Sequence, residues 1–197
     1  MEVEKITCPN CGAALKVDDA KCPYCDSPIV VNKVSDLQNI KGPLYNKYVA
    51  FYKKRLCSNN NDYSSKLSLG IVLTKMKQYT KSLNIFDELI TENPMDDKPY
   101  YFWAISSLNG SKAFLTPRTV VDEIINKLDN AISINQCALY YLFKAYILYD
   151  HHYRKGYRII PDYKDLLNEA EEYGLNHYDY DELFGALGVE IPAAIKD

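Results

Sequence analysis

The sequence has no run of the roughly 18 to 20 uncharged apolar residues that a helix needs to span a bilayer. No apolar signal core follows the opening Met-Glu-Val-Glu-Lys either, so the expectation is a cytoplasmic protein with no membrane partner. Neither sign of charge dominates: 23 Lys and Arg stand against 26 Asp and Glu, a net charge of -3 with a pI near 5.7. That excludes the broad basic footprint of a protein coating nucleic acid or anionic membrane, but not a local patch. Glycine (8) and proline (9) are scarce, and 47% apolar beside 25% charged residues is a globular composition, not a disordered one. A chain of this length buries about 70% of its extended surface, enough for one full core or a core with a small satellite. There is no Gly-rich phosphate loop, nucleophile elbow or H-E-x-x-H run, so catalysis has little support.

What the sequence does have is six cysteines, unevenly placed: Cys8, Cys11, Cys22 and Cys25 in two tight pairs, then Cys57 and Cys137 alone. In a reducing compartment cysteines serve more often as metal ligands, redox groups or small hydrophobes than as a disulfide framework. Residues 8 to 25 read CPNCGAALKVDDAKCPYC, C-x2-C twice with ten residues between. Two cysteines two residues apart aim both sulfurs at one point if the backbone turns sharply, and two such turns supply a tetrahedron of thiolates. Pro9 and Pro23 set φ for those turns, and Gly12 permits a left-handed residue after the first. Asp26 stands where the second knuckle would most often have glycine. Ala13 to Val17 and Pro28 to Val31 suit a small hairpin with Asp18, Asp19 and Ala20 at its tip.

Residues 6 to 31 resemble the short zinc-ribbon modules of many bacterial proteins. The resemblance implies one structural Zn(II) held by Cys8, Cys11, Cys22 and Cys25, with no coordination position open for catalysis. Iron in a rubredoxin-like site competes for the same sulfurs but with knuckles much farther apart, and a redox dithiol needs a strand-to-helix setting missing here. Residues 1–33 carry four lysines and five carboxylates, a poor basis for phosphate contacts.

From Val34 onward the pattern turns helical. Residues 34–42 read as a linker or docked strap, and 43–197 as a helical domain. Leu44, Tyr48, Phe51, Tyr52 and Leu56 share one face of a helix expected over 43–57, opened by Pro43. Residues 63–96 then resemble a tetratricopeptide repeat: Leu69 and Gly70 on the first helix, Ser82, Phe86 and Leu89 on the second, Asn93-Pro94 at the break. Lys66, Leu73 and Leu89 depart from the family's usual residues. Tyr100, Trp103, Ala104 and Ser107 begin another first helix ended by Gly110. Thr116 is read as the cap of its partner, with Pro117 at the first helical position and Ile124, Leu128 and Ala131 along it. A third pair spans Leu139 to Tyr149 and Tyr163 to Tyr173, and Asp179 to Leu187 reads as a capping helix. The expected fold is therefore mostly α: a tetratricopeptide-like array of helical hairpins behind a small β zinc ribbon.

In such repeats first helices line a concave surface. Carried onto this chain, the inward positions are Leu67, Ile71 and Lys75, then Tyr101, Ile105 and Leu108, then Leu142, Tyr146 and Tyr149. This apolar, aromatic groove suits a peptide or helix of a protein partner, or self-filling by residues 32–42. Charge is also divided, with nine Lys or Arg against two carboxylates over 34–81 and ten against nineteen over 82–197. Lys53, Lys54 and Arg55 head the basic patch, and its attraction to the acidic end suggests head-to-tail self-association. The functional expectation is a non-enzymatic adaptor or scaffold. The alternative is a nucleic-acid-associated regulator that uses the ribbon and the stripe from Lys47 to Lys81. His151 and His152 read as dipole partners at a helix end, pointing to different faces. Cys57 and Cys137 read as buried small hydrophobes.

Overall fold

The computed structural model describes residues 5–8, 11–16, 19, 21–26, 29–37, 40 and 42–196. Pro9, Val17, Asp18, Ala20 and Pro28, given roles in the knuckles and hairpin above, lie outside them. The chain divides into two compact units, residues 1–85 and 86–197. The expected ribbon, strap and first helices all fall in the first.

In the first unit β1 (Lys5–Thr7) and β2 (Ala14–Lys16) pair antiparallel, with Ile6 opposite Leu15. The hairpin expected between 13–17 and 28–31 is thus a different one: β2 pairs backward, and Ile29 to Val31 form no strand. The reason is local, because the first knuckle is itself the hairpin's turn. Gly12 N–H donates to Cys8 O at 2.9 Å and Cys8 N–H to Ala13 O at 2.7 Å, which returns the chain alongside β1.

At the end of the ribbon and after it, Val31, Val34, Leu37 and Ile40 are all buried, so the described residues of this stretch lie docked as a strap. Ser68 fastens it, accepting Val31 N–H at 3.0 Å. α1 (Gly42–Ser58) buries Tyr48, Phe51 and Tyr52, the face read from spacing, and packs on α2 (Tyr63–Lys75). Every residue of α2 from Ser65 to Thr74 is buried, the condition of a helix enclosed on all sides. Asp62 caps it, accepting Ser65 N–H at 3.1 Å. A left-handed Lys77 (φ 59°) then turns the chain into α3 (Tyr79–Glu92), which carries it into the second unit.

That unit holds α4 (Asp97–Ser107), α5 (Arg118–Ile134), α6 (Ala138–Ile147), α7 (Tyr163–Glu172), α8 (His177–Leu187) and the short α9 (Ala193–Lys196). α4 packs on α5 and α6 on α7, as helical hairpins require. Along α5, Val121, Ile124, Leu128 and Ala131 are completely buried at spacings of three, four and three. Each contributes roughly 1 to 3 kcal/mol by leaving water. Thr116 is not the cap of α5: its hydroxyl donates to Lys112 O at 3.2 Å, and Pro117 holds the cap position without a side-chain bond. Asp162 and Asn176 do cap α7 and α8, each in a reciprocal capping box. Trp103 Nε1 donates to Asp87 Oδ1 at 2.9 Å, while Lys127 of α5 lies 4.9 Å above the same indole.

The second unit also explains many of the 18 tyrosines. Tyr101 touches Tyr140 and Phe143, joining α4 to α6; Tyr140 donates to Asp97 at 2.6 Å; Tyr141 stacks on Tyr173 at 5.1 Å, joining α6 to α7. Their rings fill space between helices, and the Tyr140 hydroxyl reaches a polar partner at the edge.

Candidate metal centre and interaction surfaces

The two knuckles close in the same way. Gly12 N–H bonds Cys8 O at 2.9 Å and Asp26 N–H bonds Cys22 O at 2.8 Å, and Gly12 (φ 71°) and Asp26 (φ 54°) are both left-handed. Asp26 thus occupies the conformation that glycine holds in the other knuckle, at a steric cost that aspartate bears better than most residues.

These turns bring the four sulfurs of Cys8, Cys11, Cys22 and Cys25 within 4.8 Å of one another. A zinc-sulfur bond of about 2.3 Å in a tetrahedron sets sulfurs about 3.8 Å apart. Cys8 and Cys25 lie at 3.8 Å and Cys11 and Cys22 at 3.6 Å, the edges of such a tetrahedron and far beyond a disulfide's roughly 2.0 Å. A hydrogen bond from Ala13 lowers the Cys11 pKa, but desolvation and the neighbouring thiols of Cys25, Cys22 and Cys8 together raise it to about 12. Without a cation Cys11 therefore keeps its proton, and a divalent ion reverses that balance. The donor set and spacing fit one structural zinc. The site is anchored to the helices through Thr7, next to Cys8: the buried Tyr48 of α1 donates its hydroxyl to Thr7 O.

The basic patch is narrower than its sequence implied. Lys53 and Lys54 are exposed, whereas Arg55 is half-buried, with Nη2 at 3.0 Å and Nε at 3.2 Å from Asp62 Oδ2. Burial raises the Asp62 pKa, but hydrogen bonds from Ser65 and the Arg55 charge outweigh it and hold the carboxyl below its ordinary value. Arg55 is therefore a clamp between α1 and the cap of α2. Lys66 is buried as well.

The expected groove positions are mostly interior. Leu67, Ile71, Tyr101, Ile105, Leu108, Leu142 and Tyr146 are buried, and only Lys75 and Tyr149 are half-exposed. In the second unit α8 packs against α6. Phe184 meets the Tyr146 ring edge-to-face at 5.3 Å, and Leu183 and Leu187 are buried beside it. Burial, followed by the charges of Glu182, Cys137 and Asp179, raises the Tyr101 pKa well above the tyrosine range, and its hydroxyl has no hydrogen-bond partner. Tyr146 and Tyr149 also line a polar cavity of about 410 Å³ with Lys112, Asp150, Arg154 and Glu190.

Sequence reasoning missed an irregular stretch of backbone after α6. After α6 the helix widens into a π-turn over Leu148–His152, a winding frequent at functional sites. It buries Asp150, His151 and His152 together. Asp150 accepts Phe114 N–H at 2.7 Å and pairs with Arg154, so it ties the loop before α5 to the end of the π-turn. The two imidazoles do not point apart as a regular helix would have them, but touch edge-to-face at 4.8 Å. Desolvation lowers the pKa of both, which favours the neutral form. Cys57 and Cys137 also differ from expectation: Cys57 is exposed and Cys137 half-buried. Cys57 lies about half a turn of the wheel from Tyr48, off the face that α1 buries.

Comparison with known proteins agrees with both parts of the chain. Residues 4–29 match the model of a zinc-ribbon domain. No curated protein matches the sequence. Among solved structures, a double mutant of MamA from strain RS-1 aligns with a TM-score of 0.52 at 19% identity, covering 71% of this chain and 70% of that one. A MamA structure beginning at residue 41, from Desulfovibrio magneticus RS-1, aligns with a TM-score of 0.50 at 18% identity, covering 71% and 69%. At such identity the likeness shows the fold alone: a mostly helical domain with the fold of MamA, behind an N-terminal zinc ribbon.

Proposed function

We propose that the protein is a non-enzymatic adaptor: a zinc-stabilised ribbon joined to a tetratricopeptide-like scaffold that binds an amphipathic helix of a protein partner. The observation that carries this reading is α8 packed against α6 in the second unit. Tyr180, Leu183, Phe184 and Leu187 recur at the i, i+3, i+4 and i+7 positions by which helices dock in apolar grooves. The face beneath is therefore shaped for a helix and holds one from its own chain. The fit is imperfect, because it leaves the Tyr101 hydroxyl unbonded next to the buried Glu182. A partner helix that gave Tyr101 an acceptor would compete with α8 for the same face.

The test loosens α8 in the full chain with the double variant Phe184→Ala, Leu187→Ala and titrates a labelled peptide of residues 174–190, read by fluorescence anisotropy. An internal occupant lowers apparent affinity by the fraction of time that the groove is closed. The variant is expected to bind the peptide about tenfold or more tightly than the wild type, at one peptide per chain. Equal affinity, or no binding to a variant whose circular dichroism shows intact helices, contradicts the reading.

A further inference from the structure

The loop that leaves the π-turn is chemically at odds with its surroundings. Residues 86–197 hold ten Lys or Arg against nineteen carboxylates, yet residues 151–161 carry Arg154, Lys155 and Arg158 and no carboxylate. The same loop is unusually apolar for an exposed segment. Ile160 is 97% exposed, Tyr153 58% and Tyr157 47%, and Leu115, beside the Phe114 that Arg154 and Lys155 cover, is 74% exposed. More than half of the large exposed hydrophobic side chains among the described residues belong to this one region. Contiguous exposed apolar surface marks an interaction site; here the cations Arg154, Lys155 and Arg158 flank it within the loop, and the exposed Asp162 and Asp165 border it where α7 begins.

We propose that this loop is a peripheral membrane contact: Ile160 enters the outer acyl region of an anionic bilayer, Tyr153 and Tyr157 sit at headgroup level, and Arg158 and Lys155 meet lipid phosphates. The side-chain types follow the depth profile of a bilayer interface, with aliphatic residues deepest, tyrosine at the boundary and cations outermost. Protrusion favours a fluid surface over the cavity of about 370 Å³ that Ile160 borders with Tyr153, Tyr157 and Asp162, because an isoleucine 97% exposed is scarcely covered by that cavity's walls. Single-stranded nucleic acid fits less well, since bases need free aromatic faces. Tyr153 is already packed between Tyr149 and Tyr163, and Arg118 lies over Tyr157 at 5.4 Å. No helix among the described residues is long and apolar enough to cross a membrane, so the contact is superficial. The acidity of the whole chain, which argues against a membrane coat, does not bear on a patch of this size, because charges beyond about 8 to 10 Å are screened at physiological salt.

The experiment is sedimentation of the full chain with vesicles of phosphatidylcholine alone and of phosphatidylcholine with one third phosphatidylglycerol. The wild type is expected to partition onto the anionic vesicles only, weakly and reversibly, and to be released by high salt. Ile160→Asp removes an apolar anchor and adds a repelled charge, and Arg158→Glu reverses a cation; each is expected to lower the partition coefficient about tenfold or more. Both positions are exposed, so neither substitution disturbs the core, and unchanged thermal melting confirms it. Partition that is equal on neutral vesicles, absent on anionic ones, or insensitive to Ile160→Asp overturns the proposal. So does binding sensitive to Ile160→Asp that is found with oligouridylate or polyglutamate but not with vesicles, which assigns the patch to nucleic acid or to an acidic protein.

Discussion

Replacing Cys22 by serine, or stripping the metal with a strong chelator, is expected to unfold the ribbon while the helical signal of residues 86–197 persists. Among the described residues the ribbon buries only Leu15, Ile29 and Val31 as apolar side chains beside its cysteines. Three such side chains do not offset the conformational entropy of some two dozen ordered residues, at roughly 1 to 2 kcal/mol each. The remainder comes from the ion, whose binding to four thiolates is worth about 10 to 16 kcal/mol in comparable small domains and appears as folding free energy. Once the knuckles relax, the turn that pairs β1 with β2 is lost, and with it the Thr7 carbonyl to which Tyr48 donates. Elemental analysis is expected to find one zinc per wild-type chain and less than half an equivalent in the serine variant, with amide protection lost across 5–16. A variant that keeps a full equivalent contradicts the four-cysteine site.

The second large effect is expected from Asp150→Ala. Asp150 is 2% exposed, yet it bears a charge shared between Phe114 N–H and the Arg154 guanidinium. Alanine leaves a part-buried N–H without an acceptor and a cation without its counter-ion, penalties of about 1 to 3 and up to about 3 to 5 kcal/mol in fully buried settings. Arg154 is 41% exposed and regains water, so the second penalty is smaller here and a total of about 2 to 4 kcal/mol is expected. Asn in place of Asp keeps an acceptor for Phe114 and is expected to recover about half of the loss. Denaturant unfolding of both variants checks this. A destabilisation of less than about 0.5 kcal/mol by alanine would show that the carboxylate holds nothing together.

The knuckles were legible in the sequence because their geometry follows from spacing and residue type. Two C-x2-C pairs with Gly12 and Asp26 after them leave few ways to arrange four sulfurs. Helix positions were legible for a similar reason: the buried face of α1 and the interior stripe of α5 follow the 3.6-residue period. Cys57 was within reach of the same reasoning, since the wheel that puts Tyr48 inside puts Cys57 outside. Other features depend on information that no local pattern contains. A three-residue strand carries too little alternation to name its partner, so the sequence pattern pairs 13–17 with 28–31 where the fold pairs Ala14–Lys16 with Lys5–Thr7. The π-turn has no distinguishing spacing, and two consecutive histidines read as divergent until the backbone widens. The apolar stripe of α8 was visible as a short helix, but the surface that it covers is set by tertiary packing. The sequence pattern leaves the groove to a partner or to residues 32–42, and it does not reveal that α8 packs on α6.

Hydrogen exchange of the wild-type full chain, followed amide by amide, tests the adaptor account most directly. If α8 is an occupant that gives way to a partner, it opens locally without the core beneath it. Its amides are then expected to exchange about 10- to 100-fold faster than those of α6, a local opening about 1.4 to 2.7 kcal/mol easier than that of the helix it covers. Equal protection of α8 and α6, with both lost only on global unfolding, would mean that α8 is a fixed part of the core and that the inner face receives no partner helix.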